Sequence, residues 1–178
     1  MKKKASSGIF VLTGAAMLAA VSIVIGMFCK TYLNFGNGLF RITLENFPII
    51  LSGILFGPWI GACVGAAADV VSYVLSTQSL AINPLVTLGA AAVGLTAGLV
   101  SRYLIKKEGV RQIAFSTFLA HLVGSVLIKC PALYVFYGIA VLWRVPIYAV
   151  IATLECVLLV LLYRNQAFYR AVWKKRKV

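Results

Sequence analysis

Acidic residues are nearly missing from this chain. Among 178 residues there are four, Glu45, Asp69, Glu108 and Glu155, against 17 lysines and arginines. Charged residues of both signs make up 12% of the sequence, whereas 62% is hydrophobic and the mean hydropathy is +0.98. A soluble domain of this size could not cover so much apolar side chain with polar surface, so the composition excludes one and identifies an integral membrane protein. The formal charge of +13 does not argue for nucleic acid, because the basic residues gather at the chain ends and at one short connection, where lipid headgroups would lie.

Other absences narrow the chemistry. There is no G-x-x-x-x-G-K-[ST] phosphate loop, no nucleophile elbow and no H-E-x-x-H, so no pattern for holding ATP, forming an acyl-enzyme or binding catalytic zinc. The four cysteines, Cys29, Cys63, Cys130 and Cys156, are isolated, with no C-x-x-C spacing. They read as small packing residues, and no metal or other cofactor is expected.

What is present is a series of apolar runs, which predicts an all-α integral membrane protein. A single domain of six transmembrane helices is expected, at about 8–29, 42–56, 58–76, 84–105, 112–136 and 142–163. The basic start Lys2-Lys3-Lys4 before an uncharged run also fits a cleaved signal peptide. That run, Ala5 to Cys29, is long enough to cross a hydrocarbon layer of about 30 Å and more spans follow, so it is read as the first helix. Its Ala15/Ala19 and Ala16/Ala20 pairs have the small-xxx-small spacing that lets membrane helices approach closely, either within the bundle or against another subunit. The second stretch, broken at Pro48 and about 15 residues long, is short of the roughly 20 needed to span. With the Asn-, Gly- and aromatic-rich loop from Lys30 to Phe40, it suggests the wall of a cavity.

Charge distribution orients the chain. Lys2, Lys3, Lys4, Arg102, Lys106, Lys107, Arg111 and the basic tail fall on one side, and Lys30, Arg41, Lys129 and Arg144 on the other. The positive-inside rule then places both termini in the cytoplasm. Asp69 continues a stripe of Gly57, Gly61 and Gly65, and Asp69, His121 and Glu155 each fall about 14 to 17 Å into their helices at 1.5 Å per residue. A carboxylate at membrane depth costs roughly 2.5 kcal/mol or more, so each needs a partner within the bundle or a ligand. His121 is equally a candidate for a satisfied core residue, and Arg144, beside Trp143, for an interface anchor. A cavity open to the outside, acidic at its floor and basic at its mouth, is expected.

The segment from Leu39 to Leu75, followed by Ala81 to Leu99, resembles the substrate-binding S components of energy-coupling-factor (ECF) vitamin transporters, most closely their folate family. The resemblance rests on Arg41-Ile42, Phe47-Pro48-Ile49-Ile50, Phe56-Gly57-Pro58, Gly61, Gly65, Asp69 and Asn83-Pro84, about a third of the chain. It implies a multi-pass protein of the bacterial plasma membrane that binds a vitamin and is not itself an enzyme. A transmembrane coupling subunit and two ATP-binding-cassette ATPases would supply the energy, with Ala15, Ala16, Ala19 and Ala20 as the docking surface. Folate is the expected ligand. Its pterin suits a bidentate carboxylate, and its glutamate tail suits arginine or lysine. Arg41, Asp69, Tyr73, His121, Lys129, Trp143, Arg144 and Glu155 are the candidate site residues, with Phe35, Phe40, Tyr134 and Tyr137 as further stacking candidates. An S component for riboflavin, thiamine, pantothenate or a queuosine precursor, or a membrane assembly protein, are the alternatives.

Overall fold

The computed structural model describes residues 2–35, 40–75, 83–105 and 107–169. Helix α1 runs unbroken from Lys2 to Tyr32. Ala15, Ser22, Gly26, Cys29 and Lys30 lie buried along one stripe, while Leu12, Met17, Val21, Val24 and Phe28 are exposed on the other. The outward stripe is the more apolar of the two, as expected of a helix that faces lipid and turns its small and polar side chains inward.

The loop expected from Lys30 is shortened from its start, because Lys30 to Tyr32 complete the last turn of α1. Strand β1 (Asn34–Phe35) then pairs antiparallel with β2 (Phe40–Arg41), Asn34 opposite Arg41. A hydrogen bond from Ile42 N to Leu33 O at 3.2 Å extends the ladder.

Helix α2, Asn46–Phe56, has only 11 residues, all but Phe47 buried. At 1.5 Å per residue it is about 16 Å long, too short to span. It starts at Asn46 rather than Ile42 because Pro48 is tolerated only in a first turn, where no intrahelical N–H is required. Gly57, at φ +105°, ends it, and a Cβ there would run into the Arg102 guanidinium at 2.5 Å. Arg102 itself donates to the Phe56 carbonyl at 2.9 Å.

Helix α3 (Pro58–Leu75) packs antiparallel on α4 (Pro84–Leu99) along a seam without side chains. A Cβ on Gly94 would lie 2.1 Å from Gly61 O, one on Gly65 would lie 2.3 Å from Ala90 O, and one on Gly98 would lie 2.4 Å from Pro58 N. Gly53 brings α2 onto the same ridge, 2.4 Å from Gly94 O by the same measure. Asn83 caps α4, its side chain accepting from Leu85 N at 3.0 Å, and Pro84 opens it. A π-helical turn, Val100–Leu104, continues α4.

A single rod follows: α5 (Val110–Ala120), a π-helical segment His121–Lys129, and α6 (Cys130–Tyr137). Pro131 has no N–H to return to the preceding turn, and the wider π segment before it accommodates the loss without breaking the rod. A 3₁₀ stretch, Gly138–Trp143, leads to α7 (Arg144–Arg164), and Gln166–Phe168 forms a last short turn, α8.

Among the described residues, five helical segments are long and apolar enough to cross a membrane: Gly8–Tyr32, Pro58–Leu75, Pro84–Leu104, Val110–Val135 and Gly138–Arg164. The six expected spans become five and one short helix at the centre, where Ile49, Ile50 and Ile54 of α2 join a core with Val64, Val93, Ala97 and Ile113. The connection at 76–82, Lys106 and the basic tail from Arg170 lie outside the described residues.

Candidate functional site

The structure buries three of the four acidic residues, Glu45, Asp69 and Glu155, and with them three cations, Lys30, Lys129 and Arg144. Isolated, any of these charges would be costly in an apolar bundle, so their matching is the first feature of the site.

Asp69 lies in the penultimate turn of α3, six residues before its end at Leu75. That is roughly 9 Å from the end of the helix by the usual rise, so the carboxylate sits closer to the Leu75 end than to Pro58. Thr87 Oγ1, in the first turn of α4, donates to Asp69 Oδ2 at 2.8 Å. Lys30 Nζ stands 3.9 Å from Asp69 Oδ1 and equally 3.9 Å from Glu45 Oε2. The same ammonium donates to Ser72 Oγ and lies 3.8 Å from the centroid of the Tyr73 ring. Asp69 Oδ1 is buried and accepts no hydrogen bond.

Glu45 is held from two sides. Ser22 Oγ donates to its carbonyl at 2.7 Å, and Gly26 leaves room for its carboxylate, which a Cβ would meet at 2.7 Å. Lys129 Nζ reaches the neighbouring Asn46 Oδ1 at 3.5 Å while its stem crosses Gly89, where a Cβ would meet Cγ at 2.5 Å. Glu45, just before α2, therefore meets α1 and, through Lys30, α3, while Asn46 at the start of α2 meets the π segment.

A second group lies between the rod and α7. His121 Nε2 is 2.8 Å from Glu155 Oε2, and Ser125 Oγ is 3.3 Å from His121 Nδ1. The tautomer assigned to this geometry has Nε2–H donating to the carboxylate and Nδ1 accepting from the serine hydroxyl. Glu155 Oε1 is buried without a hydrogen bond. Arg144 forms a third group, its Nη1 donating to the Tyr148 hydroxyl at 3.4 Å, with Tyr137 5.7 Å from Cζ. Tyr148 packs with Cys130, Val141 and Ile151, a cluster that Leu44 also touches.

Of the residues picked from sequence, the structure joins Asp69 to Tyr73 through Lys30, and His121 to Glu155. It sets Lys129 beside Asn46 and buries Arg144. Trp143 is 68% exposed and Tyr134 also points outward. Arg41 is placed in β2, but its side chain, like those of Phe35 and Phe40, lies outside the described residues. Acid and base are not separated into floor and mouth around Asp69, since a lysine stands between it and Glu45. Sequence reading did not place Lys30, Glu45 or Thr87 beside Asp69, where the structure groups them. Thr87 was findable, being four residues before Ala91 and opposite Asp69 in the register that the glycine stripes set. Among the described residues no His, Cys, Asp or Glu group could hold a metal ion.

The α1 alanines divide between two faces. Ala15 is buried in the main core and Ala19 packs against it, while Ala16 and Ala20 are exposed.

The solved structures similar to this chain share its fold. A structure of the S component of a bacterial ECF transporter aligns with a TM-score of 0.66 at 22% identity, covering 91% of this chain and 98% of that one. The crystal structure of FolT bound with folic acid aligns with a TM-score of 0.62 at 21% identity, covering 83% and 90%. No curated protein sequence matches. The family model "ECF transporter, substrate-specific component" matches residues 10–173, nearly the whole chain, and the protein belongs to that family.

Proposed function

We propose that this substrate-specific component binds folate, at the outer end of the bundle, as the capture subunit of an ECF importer in the cell membrane. The observation that carries the reading is the pair of buried carboxylate oxygens, Asp69 Oδ1 and Glu155 Oε1, that accept no hydrogen bond although each sits in an otherwise well-ordered polar group. Buried acceptors of this kind are disfavoured unless a donor meets them. A pterin edge carries such donors in pairs, and Lys129 and Arg144, also buried, have the charge to receive the carboxylates of a glutamate tail. The likeness to FolT, which was solved with folic acid, supports the same choice.

Both termini would lie in the cytoplasm, and the exposed Ala16 and Ala20 would form the part of α1 that a transmembrane coupling subunit packs against, with two ATPase subunits driving uptake. Ala15 and Ala19 support that surface from beneath in this arrangement.

The test is calorimetric titration of the purified chain with folate, riboflavin, thiamine, biotin and pantothenate. Saturable one-to-one binding of folate alone supports the proposal; saturable binding of another member of the panel, with folate silent, replaces the substrate and leaves the family assignment untouched.

A further inference from the structure

We infer that Lys30 is a positioning residue of the ligand site, resting on the reading that Asp69 meets the ligand. Lys30 occupies the last turn of α1 and is 2% exposed. Its ammonium is equidistant from two carboxylates on different elements, Glu45 before α2 and Asp69 on α3, at 3.9 Å each. That separation matches its charge to both carboxylates while Asp69 Oδ1 accepts no hydrogen bond, and the ammonium donates to Ser72 Oγ. Ser72 in turn donates to the Asp69 carbonyl at 3.0 Å.

The consequence is directional. Thr87 fixes Oδ2 from the α4 side, and Lys30 draws Oδ1 toward α1 by charge alone, so the carboxylate plane is set by two elements while Oδ1 keeps its acceptor capacity. Tyr73, under the ammonium, confines Lys30 by a cation–π contact and keeps it from collapsing onto Asp69. Glu45 holds it from the opposite side. A lysine that served only to offset buried charge would need one partner; this one stands between two and leaves the ligand-facing oxygen open.

Single removal of Lys30 leaves two close carboxylates and risks the fold, so the informative variant is Lys30→Met/Glu45→Gln, which removes one charge of each sign. Folate affinity is measured by calorimetry and thermal midpoint by intrinsic fluorescence, beside wild type, Asp69→Asn and Lys30→Met/Glu45→Gln/Asp69→Asn. If Lys30 positions Asp69, the double variant keeps its midpoint within a few degrees yet binds folate at least about tenfold more weakly, and adding Asp69→Asn weakens binding less than it does in wild type. Wild-type affinity in the double variant overturns the assignment, as does an Asp69→Asn effect of the same fold-change in both backgrounds. If wild type binds no folate, the substrate reading has failed. Lys30 is then judged with whichever vitamin of the panel binds or, if none does, by a ligand-free cycle of midpoints for Lys30→Met and Asp69→Asn, where independent, additive losses overturn it.

Discussion

Asp69 and Thr87 meet across α3 and α4 in the same antiparallel register that sets Gly61 against Gly94 and Gly65 against Ala90. Each step along the seam is one helical turn, and the backbones touch until, toward Leu75 and Pro84, a carboxylate and a hydroxyl take the place of glycine. The close approach therefore positions the Asp69–Thr87 pair. Without side chains on the seam, the 2.8 Å hydrogen bond fits between helices that are otherwise too near for an aspartate.

The seam predicts its own sensitivity. Gly94→Ala places a Cβ 2.1 Å from the Gly61 carbonyl oxygen, a backbone atom that cannot rotate away. Overpacking of this kind costs about 1–3 kcal/mol, enough to lower the thermal midpoint by several degrees. Gly8→Ala, where nothing lies within 4 Å, is the matched control and should leave the midpoint unchanged or slightly raised. Equal midpoints for the two variants in detergent would show that the seam opens freely.

Much of this was readable from residues. The four-residue spacing of Gly57, Gly61, Gly65 and Asp69 fixed one face of α3, and the Asn83-Pro84 cap marked the start of α4, because both signals are local. The length of α2 was legible as too short, but its start was not, since Pro48 reads as a break in mid-helix and only the structure shows it in a first turn. Lys30 looked like a loop cation because a basic residue near Asn and Gly resembles a helix end; its burial depends on Glu45 and Asp69, which are distant in sequence. The His121–Glu155 pair was similarly invisible as a pair. The two residues lie 34 apart in sequence on different helices, so no local signal announces their contact.

If Asp69 meets the pterin as proposed, Asp69→Asn should weaken folate binding about ten- to a hundred-fold, through loss of a charge-assisted hydrogen bond worth roughly 1.5–3 kcal/mol. Thr87→Val, which frees Oδ2 without touching the charge, should cost less. Unaltered affinity in a well-folded Asp69→Asn protein would make Asp69 a structural partner of Lys30 and Thr87 alone and leave Glu155 as the acceptor for the pterin.

For His121 and Glu155 the expectation concerns coupling. His121→Ala leaves a fully buried carboxylate without its donor, and breaking a buried pair from one side costs about 3–5 kcal/mol. Replacing both with apolar residues, as in His121→Leu/Glu155→Met, should recover most of the lost midpoint, since no uncompensated group remains. If the double variant is as unstable as the two single losses combined, the pair is not an energetic unit.

The two alanine faces of α1 separate fold from assembly. Ala15→Trp drives an indole into the main core and should lower the midpoint sharply. Ala16→Trp, on the exposed face, should leave the midpoint and folate affinity near wild type and prevent co-purification with a coupling subunit. Intact complex formation by Ala16→Trp and Ala20→Trp would remove the docking role from this face.

Arg144 offers the sharpest distinction between folate and its rivals. It is buried, and its guanidinium is held by the Tyr148 hydroxyl and a Tyr137 ring. The Tyr148 hydroxyl and the Tyr137 ring set the direction of the guanidinium, a planar fork suited to an anionic group on a ligand. If that group is the glutamate tail, Arg144→Ala should weaken intact folate by about tenfold or more, in keeping with a charged hydrogen bond of roughly 1.5–3 kcal/mol. A pterin lacking the tail should bind wild type and variant almost equally. Trp143, exposed on the far side of the same turn, makes a poor optical reporter, so both titrations are followed by heat. An equal loss for the two ligands would place Arg144 in the support of α7, with Tyr148 as its purpose. Selective loss for intact folate, reduced further as salt is raised, would tie the cation to the tail through a site that water still reaches.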